Sequence, residues 1–229
     1  MTQGELLEVL DRADFDAIVG TSETAEIDFK QTPYRAGEPA EAFELAKDVT
    51  ALANTAAGGL LVLGFKTEPR EESDVDTVVS VHLVPRAMFN REQWIAKVHQ
   101  LAYPTVVGLD AQFIASRDDV DRGIAVITVP PQATESRYFV VAKEFVSEDG
   151  APGWLVGVSV RSADRNRPLG IGEIHRLISQ SLNLGADLAE VKALVTDLRA
   201  GAAGIPGAAT PADSFLERAQ RAWTEMEDA

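Results

Sequence analysis

The stretch ALANTAAGGLLVLGF, residues 51–65, decides the fold. Just before and within it, Phe43, Ala46, Val49 and Ala53 recur at helical spacing, which predicts a helix over about 41–56 with that stripe buried. Gly58 and Gly59 stop the helix, because glycine accepts the backbone angles of a helix end that a Cβ penalises. LLVLGF then offers no polar side chain to water, the mark of a short strand covered on both faces. A helix that stops and passes the chain directly to a doubly covered strand predicts an α+β domain, with a mixed, mostly antiparallel sheet packed by helices. Asn54, Thr55 and the two glycines also invite a phosphate-loop reading. The order is wrong for one: a P-loop runs from strand to helix with Gly-Lys-Ser/Thr at the helix start, and here the helix comes first with no Lys-Ser after it. No nucleotide cofactor is expected.

On the N-terminal side, residues 32–40 read as a loop. Before it, Glu26, Asp28 and Lys30 alternate with Ile27 and Phe29, a period of two that predicts a strand with one polar face. Residues 3–19 read as a helix carrying Leu6, Leu7, Leu10, Phe15 and Ile18, so residues 1–20 form an N-terminal helical segment ahead of a main domain over 21–180. On the C-terminal side, TEPREESDVD reads as a polar loop and VVSVHLV as a strand. Asn90 to Gln93 has the form of a capping box opening a helix to about 101, with Trp94, Val98 and Leu101 inward, and Tyr103-Pro104 ends it. Strands are expected at 109–116, 123–130, 137–145 and 154–160, the last two joined through EDGAPG, and then a short helix in GIGEIHRLISQ. Trp94 and Trp154 read as core. Residues 181–229 form a helical tail. Leu184, Leu188, Val191, Val195 and Leu198 make a 4-3-4-3 seam, a Gly/Ala/Pro linker lies at about 200–210, and Thr210-Pro211 opens a final helix. The seam packs on its own domain or forms a homodimer; both remain open.

The 229 residues include no cysteine, which excludes disulfides, thiolate zinc sites and cysteine nucleophiles and fits a reducing compartment. The acidic N-terminus lacks the basic and apolar regions of a signal peptide, and no apolar run reaches the roughly 18 residues of a membrane helix, so a cytoplasmic, non-membrane protein is expected. His82, His99 and His175 lack ligand spacing, and no zinc is expected. The net charge of -15 opposes non-specific nucleic-acid binding, which draws its affinity from neutralising phosphates. The acid is unevenly spread. Residues 1–80 carry 6 basic and 17 acidic side chains (-11), residues 181–229 carry 4 and 8 (-4), and residues 81–180 carry 11 of each. A local cationic surface in the middle is therefore compatible with the acidic total.

Three segments in one order carry a family resemblance: ETAEIDFK at 23–30, ALANTAAGGLLVLGF at 51–65 and VSVRSADRNRPLGIGEI at 158–174, with VITVPPQ between the last two. Together they resemble the AlbA_2 domain of the Schlafen family over about 160 residues. The resemblance implies a nucleic-acid-binding domain acting on RNA or DNA. In nuclease members it implies a metal-dependent endoribonuclease using three carboxylates and Mg2+ or Mn2+. Hard cations take oxygen ligands, and a bound metal polarises phosphate and activates water. Glu23 and Asp28 match the first two carboxylate positions, as catalytic and metal-binding residues. Asp28 stands where glutamate is more usual. The third position holds Lys66 and Thr67, so Glu68 or Glu71 would have to complete the set.

On the residues alone, Glu23 and Asp28 are equally readable as solvated strand-edge acids. Arg161, Arg165 and Arg167 are the nucleic-acid-binding candidates, followed by Arg176, because a planar guanidinium matches phosphate oxygens. Pairing of Arg161 and Arg167 with nearby acids stays open beside that. Lys30 and Lys66 are further phosphate candidates, and for Lys30 a surface ion pair with Asp28 is the plainer alternative. Tyr34, Tyr138 and Phe139 could stack bases. The other class of function left open is a non-catalytic regulatory or protein-interaction module with dimerising tail helices.

Overall fold

A computed structural model describes residues 1–70, 73–134, 137–146, 152–162, 165–174 and 176. The chain divides into two units, Met1–Ile178 and Ser179–Ala229. The expected 184–198 seam, linker and final helix all lie outside the described residues, as do Glu71, His175 and residues 147–151, which hold the first four residues of the expected turn EDGAPG.

The first unit runs in the order α1 (Gln3–Asp11), a 3-10 turn (Phe15–Ile18), β1 (Ile27–Lys30), α2 (Pro39–Ala53), β2 (Gly59–Leu63), β3 (Phe65–Arg70), β4 (Ser73–Val81), β5 (Val84–Pro85) and a 3-10 turn (Arg86–Met88). It continues with α3 (Arg91–Leu101), β6 (Ala102–Tyr103), β7 (Asp110–Ala115), β8 (Arg122–Val129), β9 (Val140–Val146), β10 (Pro152–Gly157), β11 (Ser159–Ser162) and β12 (Arg165–Pro168). The architecture is a mixed, mostly antiparallel sheet packed against several helices, an α+β fold. Among the described residues no helix is long and apolar enough to cross a membrane.

The five-stranded sheet has the order β1-β2-β8-β5, with β7 also on β8. β1 and β2 are parallel, Ile27 facing Leu60 and Lys30 facing Leu63, and a parallel pair needs a crossover, which α2 provides. All five residues of β2 are buried, as LLVLGF predicts. Its alternate side chains feed two apolar clusters. Leu61 and Leu63 pack with Leu45, Val49 and Leu52 of α2 and Trp94 and Val98 of α3. Leu60 and Val62 pack with Ile27 and Phe29 of β1, Phe65 of β3 and Leu6 and Leu10 of α1. Each fully buried large aliphatic is worth about 1.5–3 kcal/mol, so these layers hold the scaffold that positions the polar groups. The handover from α2 to β2 leaves no room for a Cβ. One on Gly58, at φ +70°, would lie 2.1 Å from the Val129 carbonyl, and one on Gly59 would lie 2.5 Å from that of Glu26.

Three local expectations are corrected. The helix expected over 3–19 stops at Asp11, where Ala13 takes a positive φ of 47° and the chain restarts as a 3-10 turn. The polar loop expected at 67–76 is the β3–β4 hairpin, with Phe65 opposite Val81 and register shifts after Lys66 and Pro69. Beyond Phe65 the β3 side chains are half-exposed or exposed on both faces, so there is no apolar alternation to read. The strand expected at 154–160 is two, β10 and β11, and β11 pairs with β12 in a hairpin of its own. Of the capping box expected on α3 the N-cap half is made, with the Gln93 N–H donating to Asn90 Oδ1 at 3.0 Å.

Candidate functional site: a buried ionic cluster beside a cleft

Strand alternation places the site. Ile27 and Phe29 point to the α1 side of the sheet, so Asp28 and Lys30 point to the α2 side. There they meet α2. Leu45, Asp48, Val49 and Leu52 share its inward face, and Asp48 is only 4% exposed. The β11–β12 hairpin lies against α2 and supplies the cross-strand pair Arg161 and Asn166, both turned inward.

The guanidinium of Arg161 is the centre of the cluster. Its Nη1 lies 3.0 Å from Asp28 Oδ1 and 3.5 Å from Asn166 Oδ1. Its Nη2 donates to the Thr24 carbonyl at 2.9 Å and the Ile27 carbonyl at 3.3 Å, and sits 3.5 Å from Glu23 Oε2. The side chains of Arg161 and Asp28 are both 1% exposed. Glu23 also accepts from the Phe29 N–H at 3.0 Å through Oε1. Lys30 Nζ is 3.0 Å from Asp28 Oδ1 and 4.0 Å from Asp48 Oδ2. Asp48 accepts from the Tyr34 hydroxyl at 2.5 Å and from Asn166 Nδ2 at 2.6 Å. Asp28 Oδ2 and Arg161 Nε are buried and make no hydrogen bond within the described protein.

Three carboxylates and two cations share this space, and the titration behaviour follows. Burial, reinforced by the Asp28 carboxylate, pushes the Glu23 carboxyl up to about 8, against the Phe29 N–H, Lys30 and Arg161. Burial also raises Asp48, with Lys30 opposing and Asp28 adding. For Lys30 burial works downward, but Asp28 and Asp48 outweigh it and hold the ammonium above its usual range. The Tyr34 phenol, buried beside Asp48, is pushed well above its usual value. At neutral pH Glu23 therefore keeps its proton, which relieves its repulsion with the Asp28 carboxylate.

Lys30 and Tyr34 connect the cluster to a cleft of about 780 Å³. Its walls include Arg35, His82, Met88 and Arg122, with Glu41, Glu44 and Asp48 as the acids. Arg35 is ion-paired with Glu38 and Glu41, and His82 contacts Ser80 and Gln31. Arg122 is exposed and donates to the Leu83 carbonyl at 3.0 Å; among the described residues it makes no ion pair.

The structure therefore joins Glu23, Asp28, Lys30 and Arg161 and leaves the other candidates elsewhere. The solvated strand-edge alternative for Glu23 and Asp28 is overturned, since they are 6% and 1% exposed. Lys66 and Glu68 pair with each other at 2.6 Å on the exposed β3–β4 hairpin. Arg167 pairs with Glu173 at 2.8 Å and is half-exposed. Arg165 is exposed and has a partner, and Arg176 is exposed. Tyr34 and Phe139 are buried, which removes them as base-stacking groups, while Tyr138 is 36% exposed. Trp94 is core, its Nε1–H donating to the Tyr34 carbonyl at 3.1 Å; the side chain of Trp154 lies outside the described set. Asn54 and Thr55 serve packing. Asn54 bonds Phe139 and Ser159, and the Thr55 hydroxyl lies within donating reach of the Leu52 and Gly58 carbonyls, one at a time. Asp48 and Asn166 were missed as site residues, and Tyr34, expected to stack a base, instead bonds Asp48. The available signal was an acid within the Leu45–Val49–Leu52 stripe and the alternation Arg165-Asn166-Arg167.

The fit of a divalent ion to Glu23 and Asp28 can be judged from their oxygens. Mg2+ binds oxygen at about 2.0–2.1 Å and Ca2+ at about 2.3–2.6 Å. A bridging ion would use Glu23 Oε2 and Asp28 Oδ1, and both face the Arg161 guanidinium. With that side chain in place the residues do not fit the ion. Among the described residues no group of three His, Cys, Asp or Glu is disposed to hold a metal.

No family model matches the chain, and no curated protein matches it. Several solved structures are similar, and two of them show the extent of the likeness. The DIP2311 protein from Corynebacterium diphtheriae is 16% identical, with a TM-score of 0.38 over 72% of this chain and 27% of that one. The N-terminal domain of an ATP-dependent DNA helicase RecG-related protein from Nitrosomonas europaea is 17% identical, with a TM-score of 0.34 over 72% of this chain and 94% of that one. The chain spans about a quarter of the length of the first.

Proposed function

We propose that the protein is a nucleic-acid-binding domain that grips a phosphodiester backbone in the cleft between β1, α2 and the segment 82–88, with Lys30 and Arg122 as its phosphate contacts. The sequence resemblance to AlbA_2 domains supports this reading. The observation that carries it is the composition of the cleft. In a chain of net charge -15, Lys30, Arg35, Arg122 and His82 line one opening. The acids there are largely answered, Glu41 by Arg35 and Asp48 by Lys30, Tyr34 and Asn166. Arg122 is exposed and, among the described residues, makes no ion pair, so its guanidinium can turn to a phosphate. Arg161, buried within the cluster, is no part of this contact.

Two phosphate contacts give a shallow salt dependence. Each neutralised phosphate on a single strand contributes about -0.7 to the slope of log K against log salt, so a slope of roughly -1.4 is expected. Anisotropy of labelled single-stranded RNA and DNA between low and physiological salt measures it. Arg122→Ala should remove about half of that slope. Binding that is absent at low salt, or that ignores Arg122→Ala, rejects this assignment.

A non-catalytic protein-interaction role has one specific observation in its favour. Arg35, Lys66 and Arg167 are all paired with the chain's own acids. A partner bound on that basis would show little response to salt in the same titration.

A further inference from the structure

We propose that Arg161 is the resident cation of the Glu23–Asp28 site, a covalently tethered replacement for a divalent metal ion, and that its oxygen cage takes a hard divalent cation only when that side chain is removed. The donor set around the guanidinium is the ground for this. Five oxygens surround it: carboxylate oxygens of Glu23 and Asp28, main-chain carbonyls of Thr24 and Ile27, and the amide oxygen of Asn166. Carboxylates, main-chain carbonyls and an Asn oxygen are the ligands that proteins assemble around hard cations. Every Nη-to-oxygen distance here, 2.9 to 3.5 Å, is that of a guanidinium and longer than a metal bond. The cage is also closed to bulk solvent, since the side chains of Arg161 and Asp28 are 1% exposed.

The cage is built from distant parts of the chain. Thr24, Ile27 and the acids come from the segment leading into and through β1, while Arg161 and Asn166 come from the β11–β12 hairpin. A metal ion would bind after folding and leave on chelation. An arginine on β11 arrives only when the hairpin docks, and nothing in solution competes with it. The cation beside Glu23 and Asp28 is thereby also the bolt that holds the hairpin to the sheet. Phosphodiester cleavage through a metal on these two carboxylates does not occur while Arg161 is in place. The inference stands apart from the cleft: binding at Arg122 can succeed or fail without touching it.

Mn2+ is the probe, followed by the amplitude of its free-ion electron paramagnetic resonance signal in the presence of the chelator-treated full chain. The wild type should take up no Mn2+ that depends on Asp28, and its melting temperature should not change between EDTA and Mn2+. Arg161→Ala should gain one Mn2+ site, bound about tenfold or more tightly than by Arg161→Ala/Asp28→Asn. The double variant separates the cage from the other acids, which are numerous in a chain with 36 Asp and Glu. Asp28-dependent uptake by the wild type overturns the proposal. So does a folded Arg161→Ala protein, confirmed by near-ultraviolet circular dichroism, with no such site. Should Arg161→Ala fail to fold, the wild-type titration and the EDTA comparison decide alone.

Discussion

Arg161 and Arg167 stand on the two strands of one hairpin, six residues apart, and each is paired with glutamate. Arg161 is 1% exposed in its side chain and Arg167 is 50% exposed. Alternation along β12 sends Arg165 and Arg167 outward and Asn166 inward, and Asn166 lies opposite Arg161. The same residue type in the same hairpin therefore serves two ends. The inner face is part of the fold's interior, where removing one partner strands a charge away from water. The outer face exchanges an ion pair for hydration at little cost. Shape-matching chemistry alone, a guanidinium beside a carboxylate, does not tell the two apart; the dielectric around them does.

The comparison can be broken most directly at Arg161. Replacing it with Met should cost on the order of 3–5 kcal/mol by urea denaturation, because the buried Asp28 carboxylate is left with Lys30 alone and the Thr24 and Ile27 carbonyls lose their donor. A loss of the size of an exposed pair would mean the inner face is wetter than its burial indicates. The second effect is on pH. The Glu23 carboxyl titrates near 8 in the folded protein and near 4.5 when exposed, so the folded state holds the proton more tightly. Its stabilising contribution is complete below about 4.5 and is lost as pH rises toward 8. Asp48, raised for the same reason, acts in the same sense. Denaturation midpoints should therefore fall across that window in the wild type, and Glu23→Gln should flatten the fall. A wild-type midpoint that rises steadily from pH 5 to 8 would contradict the assignment. Next in size, Tyr34→Phe should cost about 1–2 kcal/mol through the bond it gives up to Asp48, read from the same denaturation curves. The smallest effect belongs to the outer face. Arg167→Ala should leave the midpoint unchanged within error, although Glu173 would lose the hydrogen bonds from Arg167 that, with the Gly170 N–H, hold it down at about 2.

What the sequence disclosed depended on how far each signal reaches. The α2–β2 junction was legible because hydrophobic periodicity and glycine punctuation are local. The β3–β4 hairpin was not, because its side chains are polar on both faces and its stability comes from pairing with a partner strand. Glu26, Asp28 and Lys30 were recognisable as one polar row, yet the burial of Asp28 was not, since it is α2 and the β11–β12 hairpin that cover it. Asp48 escaped because an acid on an otherwise amphipathic helix is ordinarily solvent-facing, and here it turns inward to the Tyr34 hydroxyl, the Asn166 amide and the Lys30 ammonium. For Arg161 the sequence left two roles open, and the choice between them needed the tertiary fold. Lys66 and Glu68, two positions apart on β3, met each other instead of the acids of β1.

Asn54 closes α2, and its carboxamide reaches the residue ahead of β9 and the first residue of β11, two strands that share no ladder with each other. It donates to the Phe139 carbonyl at 3.2 Å and to the Ser159 carbonyl at 2.8 Å, and accepts from the Phe139 N–H at 2.7 Å. One short side chain thus rivets the lead into β9 and the start of β11 to the same helix end. Loosening that rivet would let the arginine-bearing hairpin and the three-stranded sheet drift independently, so the alignment of the inner face is governed from a residue that carries no charge at all.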